Sequence, residues 1–233
     1  MGAHRRETGE DKGDIYISQL AISNFQITNN KQQTTKIMVK IALFGTSADP
    51  PTAAHQAILS WLSHHYEQVV VWASDNPFKS HQTTLEQRSQ MLKLLIEEID
   101  SPYQNLGVYP NLSSPRTLET VAKVRHKWGM EPQLTLVVGS DLLSQMPQWY
   151  QIEQLLKQVG LQVVPRPGYV IKEQDLEQLK KLGAEIAIAD VQVPAVSSTA
   201  YREKGNTEVL TAPVENYIQQ EQLYECQNQA LSQ

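Results

Sequence analysis

Residues able to hold a phosphate stand in two places along this chain. Gly45, Thr46, Ser47, Ala48, Asp49, Pro50, Pro51, Thr52 and His55 follow the short apolar run that ends at Phe44. Gly45 permits an unusual backbone angle, and Thr46 and Ser47 bring amides and hydroxyls to the start of the helix that the next residues predict. Anions are favoured there, because unpaired amides and the helix dipole both face them. Asp49-Pro50-Pro51 fixes the turn. Thr52 and His55, one helical turn apart, are expected to face the same phosphate-sized space. Taken alone, the stretch fits equally well with Thr52 as a helix cap and His55 as an interior histidine.

The second place is Val196-Ser197-Ser198-Thr199-Ala200-Tyr201-Arg202. It reads as a loop entering a helix, with Ser197 or Ser198 as N-cap and Arg202 on the same face as Ser198. A hydroxyl, amides and a guanidinium then converge on one anion, and the guanidinium fork can steady charge on a leaving pyrophosphate. By itself this segment also describes a capped surface helix with a solvated arginine.

Both segments need a scaffold that points them the same way. From Met38 onward, β-branched runs alternate with amphipathic stretches. Strands are expected at Ile41–Gly45, Gln68–Ala73, Leu106–Tyr109, Leu134–Val138, Leu161–Val164 and Glu185–Ala189, with helices at Thr52–His65, Leu85–Ile99, Thr117–Trp128, Trp149–Val159 and Glu173–Leu182. Such alternation predicts parallel β-α-β units in an α/β doubly wound sheet, whose ligands bind beyond the carboxyl ends of the strands. Gly45–Thr52, Ser74–Lys79, Ser113–Thr117, Gly139–Asp141 and Val193–Arg202 then share one rim.

Composition narrows the classes. A chain of 233 residues is long enough to bury a core without disulfides or metals. Its formal charge of -5, with cations no more clustered than short pairs, argues against a nucleic-acid partner held by phosphate contacts. Cys226 is the single cysteine, which excludes a disulfide framework or a cysteine metal site and suits a reducing compartment. No apolar stretch approaches the roughly 18 residues that span a bilayer, so a cytoplasmic protein without a membrane partner is expected. Residues 1–37 are polar and read as a disordered extension before a single domain over 38–233, with Met38 a candidate initiator.

The two phosphate motifs together resemble the nucleotidylyltransferase superfamily, whose signatures are a Gly-Gly-Thr/Ser-Phe-Asp-Pro-x-His/Thr-x-Gly-His turn and an Ile-Ser-Ser-Thr-x-x-Arg helix start. Gly45, Ser47, Asp49, Pro50, Thr52 and His55 match the first, and Ser197, Ser198, Thr199 and Arg202 the second. Three further segments resemble the bacterial nicotinate-nucleotide adenylyltransferase family: Asn76-Pro-Phe-Lys79 with Arg88-Ser-Gln-Met-Leu92; Ser114-Pro-Arg-Thr117-Leu118; and Gly139-Ser-Asp141 followed by Trp149-Tyr150 and Arg166-Pro-Gly168. Thr46, Ala48, Thr52, Ala54, Phe78 and Arg116 depart from the usual pattern, Arg116 adding a cation where the family has tyrosine.

The resemblance implies a Rossmann-like nucleotidylyltransferase fold and adenylyl transfer from ATP, with Mg²⁺, to nicotinate mononucleotide. It implies His55, Arg202, Thr52 and Lys79 as catalytic residues. ATP would meet Gly45, Thr46, His55, Gly139, Asp141, Ser197, Ser198, Thr199 and Arg202, and the mononucleotide Ser47, Ala48, Lys79, Thr117, Trp149 and Tyr150. Trp149 would stack on the pyridine ring. Arg88 is read as a helix-surface or ion-pairing residue and not a catalytic one. Nicotinamide mononucleotide or phosphopantetheine as acceptor, and a nucleotide-binding regulatory module without turnover, stand as alternatives, and homo-oligomer formation is left open.

Overall fold

A computed structural model describes residues 38–75 and 82–224. The N-terminal extension, the Asn76–Lys79 loop with its Lys79, and Cys226 lie outside the described residues. Every element below falls in the unit Lys40–Gln233.

Six strands form one sheet: β1 Lys40–Thr46, β2 Gln68–Ala73, β3 Leu106–Val108, β4 Gln133–Gly139, β5 Gly160–Val164 and β6 Ile186–Ile188. Their order is β3-β2-β1-β4-β5-β6, and all pairs are parallel. The helices are α1 Ala53–His65, α2 Leu85–Glu97, α3 Thr117–Trp128, α4 Ile152–Leu156, α5 Glu173–Lys181, α6 Ser198–Lys204 and α7 Ala212–Gln220. The doubly wound expectation therefore holds, and the chain reverses direction across the sheet between β1 and β4. A crevice opens at that point because the loops after the two strands run opposite ways.

Parallel strands covered on both faces read as unbroken apolar runs. In β1 and β2, Ile41, Ala42, Leu43, Phe44, Val69, Val70 and Val71 are all buried. Ala42, Phe44, Val69 and Val71 pack with Leu59 and Leu62 of α1, Met91, Leu92 and Leu95 of α2, and Val214 and Ile218 of α7. The alternate residues Ile41, Leu43 and Val70 turn to the other face, which right-handed crossovers assign to α3, α4 and α5. Each fully buried leucine or valine of this kind contributes roughly 1.5–3 kcal/mol of transfer free energy.

Some boundaries shift. The expected helix Trp149–Val159 shortens to Ile152–Leu156, because Met146–Gln148 forms a separate 3₁₀ turn and Gln151 takes a left-handed φ of 49°. Trp149 and Tyr150 are thereby freed from a helix and set on the rim. Helix α7, not anticipated, packs against α2 through Val214 and Ile218, one turn apart and buried.

Candidate active site

The turn after β1 is built from backbone outward. Gly45 has no positive φ, contrary to the reading above; the left-handed residue is Ala48, at φ 44°. Gly45 is required by packing, since a Cβ there would lie 2.6 Å from Trp72 Cε2 of the neighbouring strand. The Asp49–Pro50 peptide that follows is cis.

Asp49 is 2 % exposed and holds the turn to its surroundings. One carboxylate oxygen accepts from Thr83 Oγ1 and from the Tyr224 hydroxyl, each at 2.6 Å, and the other from the Gln82 amide at 2.8 Å. Arg88, also 2 % exposed, donates Nη1 to the carbonyls of Ser47 at 3.0 Å and Ser74 at 2.8 Å. It thus ties the loop after β1 to the loop after β2. Burial lowers the Arg88 pKa, and the nearby Asp49 and Asp75 carboxylates act against that shift. Arg88 is therefore not a surface residue: it is buried and joins two loops, at Ser47 and Ser74, that line the cleft.

Thr52 does not face the phosphate space. It is fully buried, and its backbone N–H donates to His55 Nδ1 at 3.1 Å, with its hydroxyl 3.0 Å from the same nitrogen. An amide can only donate, so Nδ1 is an acceptor and the neutral imidazole carries its proton on Nε2. Nε2 points to Thr46 Oγ1 at 3.0 Å. Thr52 thus orients His55 from behind and presents an N–H donor beside Thr46.

Across the crevice, Ser197 caps α6 by accepting from the Ala200 amide at 3.1 Å. Ser198 donates its hydroxyl to the Pro50 carbonyl at 2.7 Å, and Arg202 donates Nη1 to the Asp49 carbonyl. Two motifs about 150 positions apart therefore meet as one wall. Arg202 Nη2 lies 3.4 Å from Thr199 Oγ1, and Thr199 is exposed.

The wall bounds a cleft of about 1300 Å³. Gly45, Thr46, Ser47, Ala48, His55, Ser197, Ser198, Thr199 and Arg202 line it, as do Gly139 and Asp141. Ala48 contributes little surface, being 1 % exposed and part of the core. A side chain at Gly139 would collide with the Asp141 carboxylate, and Asp141 is bridged to Arg166 at 2.7 Å. Thr117, Trp149 and Tyr150 line the cleft as well, together with Arg116. There the Arg116 guanidinium stacks 4.2 Å over the Tyr150 ring and pairs with Glu119 at 3.3 Å. Of the expected site residues that are described, only Thr52, buried behind the wall, does not line it; Lys79 lies outside the described residues.

The sequence reading missed Thr83 and Tyr224. No local signal marks either, because their partner Asp49 is 34 and 175 positions away.

Among known proteins, the cytidylyltransferase-like family matches residues 43–204. A Synechocystis sp. protein, named a probable nicotinate-nucleotide adenylyltransferase, is 44% identical over 198 residues, spanning 80% of this chain and 99% of that one. A Bacillus anthracis protein of the same name is 30% identical over 81% of this chain and all of its own length. Among solved structures, a Plasmodium falciparum nicotinic acid mononucleotide adenylyltransferase complexed with NaAD shares the fold, with a TM-score of 0.68 at 18% identity over 80% of this chain and 98% of that one. The same fold, the ordered motifs on one cleft and the full-length match together show that this chain belongs to the nicotinate-nucleotide adenylyltransferase family of nucleotidyltransferases.

Proposed function

We propose that the cleft transfers the adenylyl group of ATP to nicotinate mononucleotide, giving nicotinate adenine dinucleotide and pyrophosphate in NAD synthesis. The observation that carries this reading is the seating of Arg202 on the Asp49 carbonyl, which puts a guanidinium beside the Thr46–His55 pair on one wall. The mononucleotide 5′-phosphate is already an anion, so the reaction needs no dedicated base. Its oxygen bonds to the α-phosphorus in line as the α–β bridging bond breaks, and the electron pair leaves with pyrophosphate. Positioning and charge stabilisation then supply the acceleration.

His55 Nε2–H, Thr46 and Ser47 hold phosphoryl oxygens, and Arg202 with Thr199 and the Ser197–Ser198 entry to α6 takes the triphosphate. Thr52 positions His55 and does not touch substrate. Gly139 and Asp141 face the adenosine ribose. Trp149 stacks on the pyridine ring, with Thr117 and the Tyr150 amide near its carboxylate; Ala48 closes the floor beneath the mononucleotide, and Lys79 adds a cation to its phosphate. Mg²⁺ accompanies ATP and screens the triphosphate charge. Among the described residues no group of three or more His, Cys, Asp or Glu is placed to hold a metal ion.

The test is pyrophosphate release from ATP and Mg²⁺ with nicotinate mononucleotide, nicotinamide mononucleotide and phosphopantetheine offered in competition. Preference for the acid is expected. Preference for either other acceptor overturns the substrate assignment, and no release with any of them overturns the enzymatic reading.

A further inference from the structure

Tyr224 follows α7 in the chain and takes a left-handed φ of 64°, yet it makes two contacts at the phosphate wall. Its hydroxyl donates to Asp49 Oδ1 at 2.6 Å. Its ring stands edge-on to Tyr201, with centroids 5.6 Å apart and planes at 85°. Asp49 gives its carbonyl to Arg202, and Tyr201 is the residue before Arg202 on α6, 9 % exposed. One side chain thus touches the β1 turn and the arginine helix together. Burial and the bond to the Asp49 carboxylate raise the Tyr224 pKa well above that of a free phenol, so the hydroxyl remains a donor across the working pH range.

We infer that Tyr224 is a positioning residue for adenylyl transfer, a clamp that fixes the Arg202 guanidinium relative to the β1 turn. The inference rests on the proposed function for the meaning of Arg202 and assigns a task to a residue that does not line the cleft. The physical basis is the steep dependence of phosphoryl-transfer rates on placement, where a shift of about 1 Å can cost on the order of a hundredfold. Arg202 is itself half-buried at the cleft edge, and its Nη1 bond ends on a backbone carbonyl. Anything that loosens Asp49 therefore moves the guanidinium's anchor. Tyr224→Phe removes one donor, keeps the ring against Tyr201, and leaves Asp49 the Thr83 and Gln82 donors.

A double-mutant cycle in the full chain tests the clamp, with kcat for pyrophosphate release as one readout and the ATP dissociation constant, measured calorimetrically with Mg²⁺ and no acceptor, as the other. Tyr224→Phe is expected to lower kcat about tenfold, with the acceptor KM changed less than about twofold. In an Arg202→Ala background the same change is expected to cost less than about twofold in kcat, and ATP affinity is expected to show the same non-additivity, because residues acting through one group do not add. A purely structural tyrosine would give equal losses in both backgrounds. That result, or a wild-type kcat in Tyr224→Phe, overturns the clamp. Should Tyr224→Phe fail to fold, Thr83→Val, which removes the other hydroxyl from the same Asp49 oxygen, enters the cycle with the same expected and overturning outcomes. The ATP readout involves no acceptor: transfer to a different acceptor overturns the proposed substrate and leaves the clamp standing, whereas unchanged ATP binding and turnover in Tyr224→Phe strike the clamp alone.

Discussion

The two ends of the cleft are held by opposite means. At the phosphate end, Asp49 and Arg88 are each 2 % exposed; the Asp49 carboxylate accepts from the Gln82 amide and the Thr83 and Tyr224 hydroxyls, and Arg88 donates to the Ser47 and Ser74 carbonyls. At the other end, Arg116 and Glu119 pair with side chains 52% and 47% exposed, and the stacking partner Tyr150 is exposed as well. A buried polar network has no water to replace a lost partner, so each of its members depends on the others. A rim ion pair is solvated and contributes little to stability. The structure thus builds a buried network at the end proposed for the transferred phosphate, and at the end proposed for the acceptor's ring it has exposed residues that can change without unfolding the domain.

That contrast breaks if the buried end tolerates truncation. Asp49→Ala removes one of the two carboxylates, Asp49 and Asp75, that offset the buried Arg88 charge, and strips partners from Thr83, Tyr224 and the Gln82 amide. It is expected to cost about 3–5 kcal/mol of unfolding free energy, measured by urea denaturation; a loss below about 1 kcal/mol would make the network ornamental. Gly45→Ala is expected to cost about 2 kcal/mol, because its methyl lands on the Trp72 indole. Thermal melts of that variant check the claim, and an unchanged midpoint would show that Trp72 moves aside freely. Next in size, His55→Ala and Arg202→Ala are each expected to lower kcat at least about tenfold, or roughly 1.4 kcal/mol of transition-state stabilisation, with the fold intact by circular dichroism. Wild-type rates would remove both residues from the reaction.

The sequence made one of these two ends much more legible than the other. Strand β2 and helix α3 fall where alternation and amphipathic spacing put them, because their patterns are local. The meeting of Ser197–Arg202 with the β1 turn was expected from their positions at strand ends, since parallel topology forces that convergence. What tied them was not readable: the Asp49 partners Thr83 and Tyr224 lie in different loops, and no spacing rule links them. Thr52 shows the opposite failure. Its one-turn spacing from His55 was real, but a hydroxyl at a helix entrance bonds what is nearest, and that was the imidazole. Gly45 was judged by backbone freedom when its cause was a tryptophan on the next strand, a contact set by the register Gly45↔Trp72.

The smallest expected effects lie at the open end and sharpen the comparison most. If Arg116 faces the acceptor ring's carboxylate, its charge favours the acid over the amide, while Glu119 offsets that charge from 3.3 Å. The Glu119 pKa is lowered, first by the Ser114 hydroxyl at 2.5 Å and then by Arg116, so it is an anion at neutral pH. The two substitutions must therefore act in opposite directions. Arg116→Gln is expected to lower the ratio of kcat/KM for nicotinate over nicotinamide mononucleotide by about threefold, and Glu119→Gln to raise it by about twofold, magnitudes set by solvent screening at an exposed pair. Neither should change the melting temperature beyond about one degree. Both effects should shrink as salt rises from about 0.05 to 0.5 M, where the screening length falls below the width of a nucleotide. Shifts of the same sign in the two variants would show that the rim acts by shape and not by charge, and a large loss of stability in either would erase the distinction between the two ends of the cleft.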